Sequence, residues 1–316
     1  MQLPAYEDVC RAHERIAPWI HRTPVLTSAT FDAMTGATLF FKCENFQKAG
    51  AFKSRGAVNA VFGLEDADAV RGVATHSSGN HGMGLARAAA CRGIDCTVVM
   101  PETAPRAKVA AVRGYGGEVV FCTPTNTARQ QTLDHVVAES GANVVPPYDD
   151  ARVIAGQGTC AKELLEDIEG LDVVIAPIGG GGLIGGTALS CRALSPHTQV
   201  LAAEPANADD AYRSLAAGKR LIEDAPDTIA DGLKASLGEL NWGIVQHEVD
   251  EILRAEEAAI VEAMHLIWQR MKIIVEPSCA VPLATILHHP ERFAGQRVGV
   301  ILTGGNVDLD RLPWSY

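Results

Sequence analysis

The sequence is short of positive charge. Its 27 lysines and arginines stand against 38 aspartates and glutamates, a formal net charge of −11. Binding a nucleic-acid backbone or an anionic membrane surface calls for a basic footprint, which this composition does not supply. No run of about 18 apolar residues occurs, so no membrane-spanning helix is expected. The start, MQLPAYEDVCRAHERI, lacks the basic residues and apolar stretch of a signal peptide. The eight cysteines are scattered, and the closest pair, Cys91 and Cys96, has neither zinc-site nor redox-motif spacing. They read as reduced, mostly buried thiols of a cytoplasmic protein. The ten histidines form no HExxH pattern. Internal repeats and low-complexity tracts are missing too.

What is present is an alternation of short β-rich runs and helical stretches. With 316 residues, 47 % of them apolar, the chain suits two domains of ordinary size. Strands are expected at GVATHS (72–77), CTVVM (96–100), EVVFC (118–122) and NVVPPY, with helices between them. That βαβαβα order requires parallel strands and crossover helices. The pattern resumes with strands DVVIAPI (172–178), QVLAAEP (199–205) and RVGVILTGG (297–305), and TLFFKCE (38–44) is expected to join them. The reading is α/β: two open, twisted, mostly parallel sheets flanked by helices. A small domain at 70–147 is inserted into a discontinuous large domain made of 1–69 and 148–316. Charge-rich RSLAAGKRLIEDAPD (213–227) reads as solvated surface.

Three strand-to-loop junctions carry the chemical signal. In VVIAPIGGGGLIGG, Gly179, Gly180, Gly181 and Gly182 follow a buried strand and open a helix. Successive backbone N–H groups and the helix N-terminus make an anion cradle there, suited to a phosphate. Gly180, Gly182 and Gly185 also spell GxGxxG, with Glu204 placed 19 residues on, a match to a dinucleotide fingerprint. A nicotinamide oxidoreductase therefore stands as a rival reading. THSSGNHG (75–82) is richer in side-chain donors: Ser77, Gly79 and backbone amides suit a carboxylate, and Asn80 adds an amide. ILTGGN (301–306) offers the Thr303 hydroxyl. Ligands of open parallel sheets bind beyond the carboxyl ends of the strands, so two such domains imply a site in the cleft between them.

Lys53 lies in AGAFKSRGA, among residues small enough to admit a flat ring, with Phe52 ready to pack against it. A lysine amine attacks a carbonyl only when unprotonated, a state favoured by desolvation or by a cationic neighbour. Arg55 is such a neighbour if it points the same way. On spacing alone, a solvated surface lysine is the plainer reading.

The segments FKCENFQKAGAFKSRGAVNA, THSSGNHG, PIGGGGLIGG, EPANADDA, TIADGLK, EPSCAVPLA and ILTGGNVDLD together resemble the serine/threonine dehydratase and serine racemase family. These are pyridoxal-phosphate (PLP) enzymes of the tryptophan-synthase-β fold type. The resemblance implies that Lys53 forms the Schiff base with the cofactor, that Phe52 flanks the ring and that Asn80 bonds its phenolic oxygen. Gly179–Gly182 and Leu183 would hold the phosphate, and Thr303 would face the pyridine nitrogen with a neutral hydroxyl. Ser77, Ser78, Gly79, Asn80 and His81 would hold the substrate. Lys53 would also be the general base, and Ser78 resembles the second, opposite-face acid/base of the racemases. Glu204 and Asp210, with the Ala208 carbonyl, resemble a site for Mg²⁺, possible also for Ca²⁺ or Mn²⁺. A homodimer is what the family implies. Asp308, near Thr303, reads as a loop residue.

The expected reaction is elimination of water from a 3-hydroxy amino acid, giving a 2-oxo acid and ammonia. FFKCENFQ, VIAGQGTCAKEL, EPSCAVPLATIL and TGGNVDLDRLPW look most like bacterial β-hydroxyaspartate dehydratases. 3-Hydroxyaspartate, passing to iminosuccinate or oxaloacetate, is thus the first expected substrate. Serine or threonine dehydration, or serine racemisation, is the alternative. A second substrate carboxylate needs a cation or donor, for which His76 and Arg152 are the candidates. No regulatory domain is expected beyond the last strand motif. A binding protein that kept the fold without turnover also stays open.

Overall fold

The computed structural model describes residues 3–77 and 79–314. Its strands are β1 (Val25–Leu26), β2 (Thr38–Cys43), β3 (Val73–His76), β4 (Cys96–Pro101), β5 (Glu118–Cys122), β6 (Asn143–Val144), β7 (Val173–Pro177), β8 (Gln199–Pro205), β9 (Glu251–Ala255) and β10 (Arg297–Leu302). Six of them form a sheet in the order β1-β2-β10-β7-β8-β9, and four form a second in the order β5-β4-β3-β6. Every pairing is parallel except β1 with β2.

Burial explains the composition of these strands. All five residues of β7 are buried. Val173 and Ile175 enter one core, beneath helices Glu257–Met271 and Pro277–His288. Val174 and Ala176 enter the other, beneath helices Ala151–Asp167 and Gly182–Leu194. A strand covered on both faces must be apolar throughout, because its side chains alternate between two dry layers. The smaller sheet is covered likewise. Val73, Val98 and Met100 pack towards helices Asn80–Arg92 and Lys53–Phe62, while Ala74, Val99 and Cys122 pack towards helix Asn126–Ser140.

The structure departs from the sequence reading in three places. Strands β1 and β9 are additional. NVVPPY pairs only through Asn143–Val144, since Pro146 and Pro147 have no N–H to donate to a ladder. The stretch 213–227 is not all solvated. Its first residues finish helix Asp210–Ala217, and Ser214 is buried, donating to the Asp210 carbonyl and accepting from the Leu221 N–H.

Topology places the site. In the larger sheet the chain runs outward from β7 through β8 to β9, then returns to lay β10 on the other side of β7. In the smaller sheet it runs from β3 through β4 to β5, and β6 returns on the other side of β3. Loops diverge above the carboxyl ends at such reversals and leave a crevice. The residues at the two reversals, 179–182 and 303–306 in one sheet and 79–80 and 145–148 in the other, meet across a single cleft: Tyr148 lies on Gly180, and Asn80 bonds Asn306.

Beneath that cleft lies a dry cluster of charges. Arg55 donates from Nε and Nη2 to both Glu44 oxygens (2.7 and 2.8 Å), and from Nη1 and Nη2 to both Glu163 oxygens (2.8 Å each). Lys42 Nζ meets Glu163 at 2.8 Å and donates to the Thr23 carbonyl. Two cations thus balance two carboxylates, and all four side chains are buried. Burial alone would raise the Glu163 carboxyl, but Arg55 and Lys42 hold it at about 2. Removing one member leaves an uncompensated charge in a dry site. Arg55→Ala should therefore lower the unfolding free energy by about 3–5 kcal/mol, measured by equilibrium urea denaturation. A loss below about 1 kcal/mol would match an exposed ion pair instead.

Candidate active site

Lys53 is the first residue of helix Lys53–Phe62, and the segment before it is tied to the end of β10. The Phe52 N–H donates to the Thr303 carbonyl (3.0 Å), and Ala51 bridges Gly304. The Lys53 amine donates to the Pro147 carbonyl beyond β6 (2.7 Å) and lies 5.0 Å from the Phe52 ring centroid. Desolvation lowers its pKa to about 8, an effect that Glu276 opposes only when ionised. Arg55, expected as the cation that would deprotonate it, points instead into the charge cluster below. The amine is made available by burial, not by a neighbouring charge.

Gly179–Gly182 form the loop between β7 and helix Gly182–Leu194. Gly181 has φ +91°, and a Cβ there would fall 2.5 Å from Leu237 Cδ1; at Gly180 a Cβ would enter the Tyr148 ring. The Gly180 carbonyl accepts from Gly238 N–H (3.1 Å) and Asn241 Nδ2 (2.8 Å). The Gly179, Gly180 and Gly181 N–H groups find no acceptor among the described residues. They stand where helix Gly182–Leu194 begins, with buried Leu183 in its first turn. A strand-to-helix loop with free amides at a helix N-terminus fits a phosphate. Thr303 is buried close by at the end of β10.

From the smaller sheet, Ser77 Oγ accepts from the Gly79 and Gly82 N–H groups, so it shapes the loop while its own O–H stays a donor. Ser78 lies outside the described residues, and its expected acid/base role rests on resemblance alone. His81 is buried with Nε2 2.9 Å from the Val145 carbonyl, and burial lowers its pKa to about 3. It is neutral, and it offers the site a backbone amide rather than a charge. Asn80 Nδ2 donates to Glu276 Oε1 (2.7 Å), and Asn80 Oδ1 accepts from Asn306 Nδ2 (3.0 Å).

Several polar residues here had no role in the sequence reading. Glu276 and Asp231 lay inside motifs already noted, Tyr148 ended the NVVPPY run, and Lys108 and Arg129 lay outside any motif. Lys108 Nζ pairs with Asp231 across the cleft (2.5 Å) and sits beside Gly79. Arg129, whose Nε has no partner among the described residues, is close enough to help depress the pKa of His76, chiefly lowered by burial. Arg152 is turned onto Asp150, with Nε at 3.0 Å and Nη2 at 2.6 Å from its two oxygens. Asp308 is an exposed loop residue.

Glu204 is buried and caps helix Asp210–Ala217, accepting from Ala211 N–H (3.1 Å) and Tyr212 N–H (2.9 Å). That geometry removes the dinucleotide reading, because the carboxylate that would hold a ribose is turned into a helix end. Asp210 accepts from Leu237 N–H (3.1 Å). No group of three or more His, Cys, Asp or Glu is arranged for a metal among the described residues. No described helix is long and apolar enough to cross a membrane.

A desolvated lysine, a cradle of free amides, a buried hydroxyl and an aromatic ring at the junction of two parallel sheets fit a flat phosphorylated aldehyde. The family model for pyridoxal-phosphate dependent enzymes matches residues 16–304. The chain belongs to that family. Over 315 residues it is 61 % identical to a β-hydroxyaspartate dehydratase of Paracoccus denitrificans, covering 100 % of each chain. It is 47 % identical to a serine racemase of Arabidopsis thaliana, covering 96 % of this chain and 94 % of the relative. The crystal structure of the Dictyostelium discoideum serine racemase superposes with a TM-score of 0.92 at 45 % identity, covering 97 % and 99 % of the two chains. The fold is that of the family's fold type II, and the cofactor is pyridoxal phosphate.

The pKa of Lys53 predicts how the apoprotein takes up its cofactor. At pH 7 an amine with a pKa of about 8 is neutral on the order of a hundredfold more often than an ordinary lysine. The rate of chromophore formation on adding pyridoxal phosphate should rise through pH 8 and level off above it. A rate still climbing tenfold per pH unit at pH 9 would contradict a desolvated amine. Lys53→Ala should form no borohydride-fixable adduct.

Proposed function

We propose that the protein eliminates water from 3-hydroxyaspartate, releasing ammonia, with Lys53 as the base that removes the α-proton. The single observation that carries this is the half-buried, desolvated Lys53 amine held on the Pro147 carbonyl, next to the Tyr148 that lies on the glycine cradle, read with the full-length similarity to a β-hydroxyaspartate dehydratase. When bound, pyridoxal phosphate supplies the electron sink that acidifies the α-carbon. The chain does the rest. A neutral Lys53 accepts the proton at a point where water is excluded. The free glycine amides hold the phosphate, and the amides at the start of helix Asn80–Arg92 receive the α-carboxylate. Thr303 presents a neutral hydroxyl, which leaves the ring nitrogen without a carboxylate to keep it protonated and so favours loss of the β-hydroxyl.

For the second carboxylate, His76 at the end of β3 and the nearby Arg129, whose Nε has no partner among the described residues, are the candidates. Arg152 is already held by Asp150. Residues 70–147 form the unit expected to move against the rest, and the Lys108–Asp231 pair across the cleft supports that division. A divalent cation at Glu204, Asp210 and the Ala208 carbonyl belongs to the same reading. It is supported by two buried carboxylates close enough to raise each other's energy, with burial the larger cost. A second copy of the chain and a cytoplasmic setting complete the reading.

Release of 2-oxo acid and ammonia should be assayed across the four hydroxyaspartate isomers and D- and L-serine and threonine. At least one hydroxyaspartate isomer should exceed serine and threonine in kcat/KM by about tenfold or more, the scale of one charge-assisted hydrogen bond. Equal turnover of serine would shift the assignment to a serine dehydratase or racemase, and no turnover of any would leave a binding protein. Arg129→Leu should raise KM for hydroxyaspartate by about tenfold with little effect on serine. Chelation should lower activity, Mg²⁺ should restore it, and Glu204→Gln should lose that response.

A further inference from the structure

We propose that Glu276 is a positioning residue of this site, carried as a neutral acid that holds one N–H of the Asn80 amide and leaves the other for the cofactor's ring oxygen. The inference rests on the cofactor reading above. The amide orientation follows from a chain of donors and acceptors. Asn306 Nδ2 donates to the Ala49 carbonyl (2.8 Å), which only accepts, so the group Asn306 presents to Asn80 is also its NH₂. Asn80 must then offer Oδ1 to Asn306, and its own NH₂ faces Glu276 Oε1. One Asn80 N–H is used by Glu276 and the other is free.

Glu276 itself is 2 % exposed, at the start of helix Pro277–His288, with its N–H donating to the Gly304 carbonyl (3.0 Å). Its Oε2 has no partner among the described residues. Lys108, the cation on the facing helix Arg106–Gly114, is paired with Asp231 and forms no bond to Glu276. An ionised Glu276 would put a negative charge on the far side of the amide that must stabilise a ring oxyanion, and in a dry site that repulsion is strong. The neutral acid keeps the hydrogen bond and removes the charge.

The surroundings support this. Burial raises the Glu276 pKa to about 8, helped by Asp231 and opposed by Lys108, the Asn80 bond and the Asn306 amide. Lys53 is the other cation whose charge it feels. Cys279, on its own helix, is pushed up by burial and holds its proton. The sign is then set: below pH 8 Glu276 is neutral and the site is competent, and as pH rises through 8 it ionises and activity falls.

The test uses the cofactor-loaded enzyme and two readouts, kcat/KM and the visible band of the bound cofactor, each followed from pH 6 to 10. The wild type should show a basic limb near pH 8 in kcat/KM and a band shift over the same range. Glu276→Gln should keep the band position of the neutral form and lose the limb or move it up by about one unit or more. Glu276→Ala should displace the band and lower kcat by about tenfold or more, with Glu276→Gln restoring most of that loss. Lys108→Met should move the limb up and Asp231→Asn should move it down. A wild-type limb retained in Glu276→Gln, or a wild-type band and kcat in Glu276→Ala, would overturn the proposal. A wild type with no visible band at all would instead overturn the cofactor reading beneath it.

Discussion

The position of Lys53 depends on Arg55. The guanidinium is gripped on two edges by Glu44 and Glu163, so the first turn of helix Lys53–Phe62 is fastened at once to the segment after β2 and to helix Ala151–Asp167. Just before the helix, the Phe52 N–H and the Ala51 bridge fasten the same segment to the end of β10. Between those anchors the backbone of Lys53 has little freedom, and its side chain reaches a single carbonyl, that of Pro147. A reactive amine needs both a low pKa and a fixed location. Burial supplies the first, and the ion cluster, with its charges balanced and its donors satisfied, supplies the second.

The two sheets contribute in the same way. Each is parallel apart from β1, each reverses its direction of growth once, and each opens a crevice at that reversal. What makes one site of two crevices is that the loops cross: Tyr148 from the smaller sheet lies on Gly180 of the larger, and Asn80 from the smaller bonds Glu276 of the larger. The phosphate cradle, the amine and the carboxylate loop thus come from four strand ends that no single sheet could bring together.

Much of this was legible in the sequence. Strands β7 and β8 fall on their predicted apolar runs, since a strand buried on both faces leaves an uninterrupted apolar signal. The cradle was visible because four consecutive glycines after such a strand admit few uses. Lys53 was not legible by itself, and only its company with the other motifs singled it out. Glu276 was missed because a glutamate before a proline reads as a helix start, and nothing local reveals a carboxyl kept dry by residues elsewhere in the chain. Lys108 and Asp231 were missed for a related reason: charge pairs across a cleft leave no periodic trace. Strand β9, EILRA, carries two charged residues in five and lacks the apolar run that betrayed its neighbours. Glu204 was seen as a ribose or metal ligand, and the structure adds a third use that spacing could not show, the capping of a helix from outside it.

The bonds that close the cleft join residues remote in the chain: Lys53 to Pro147 across 94 positions, Asn80 to Glu276 across 196, and Asn306 to Ala49 across 257. Contacts of such separation repay their loop-closure entropy only after most of the chain is already ordered. The site therefore belongs to the late steps of folding, after each sheet has its own core. Its ligand has nothing to grip in a half-folded chain, so cofactor binding draws the population towards the finished molecule by mass action. Appearance of colour in a refolding sample would in that sense time the meeting of the two sheets.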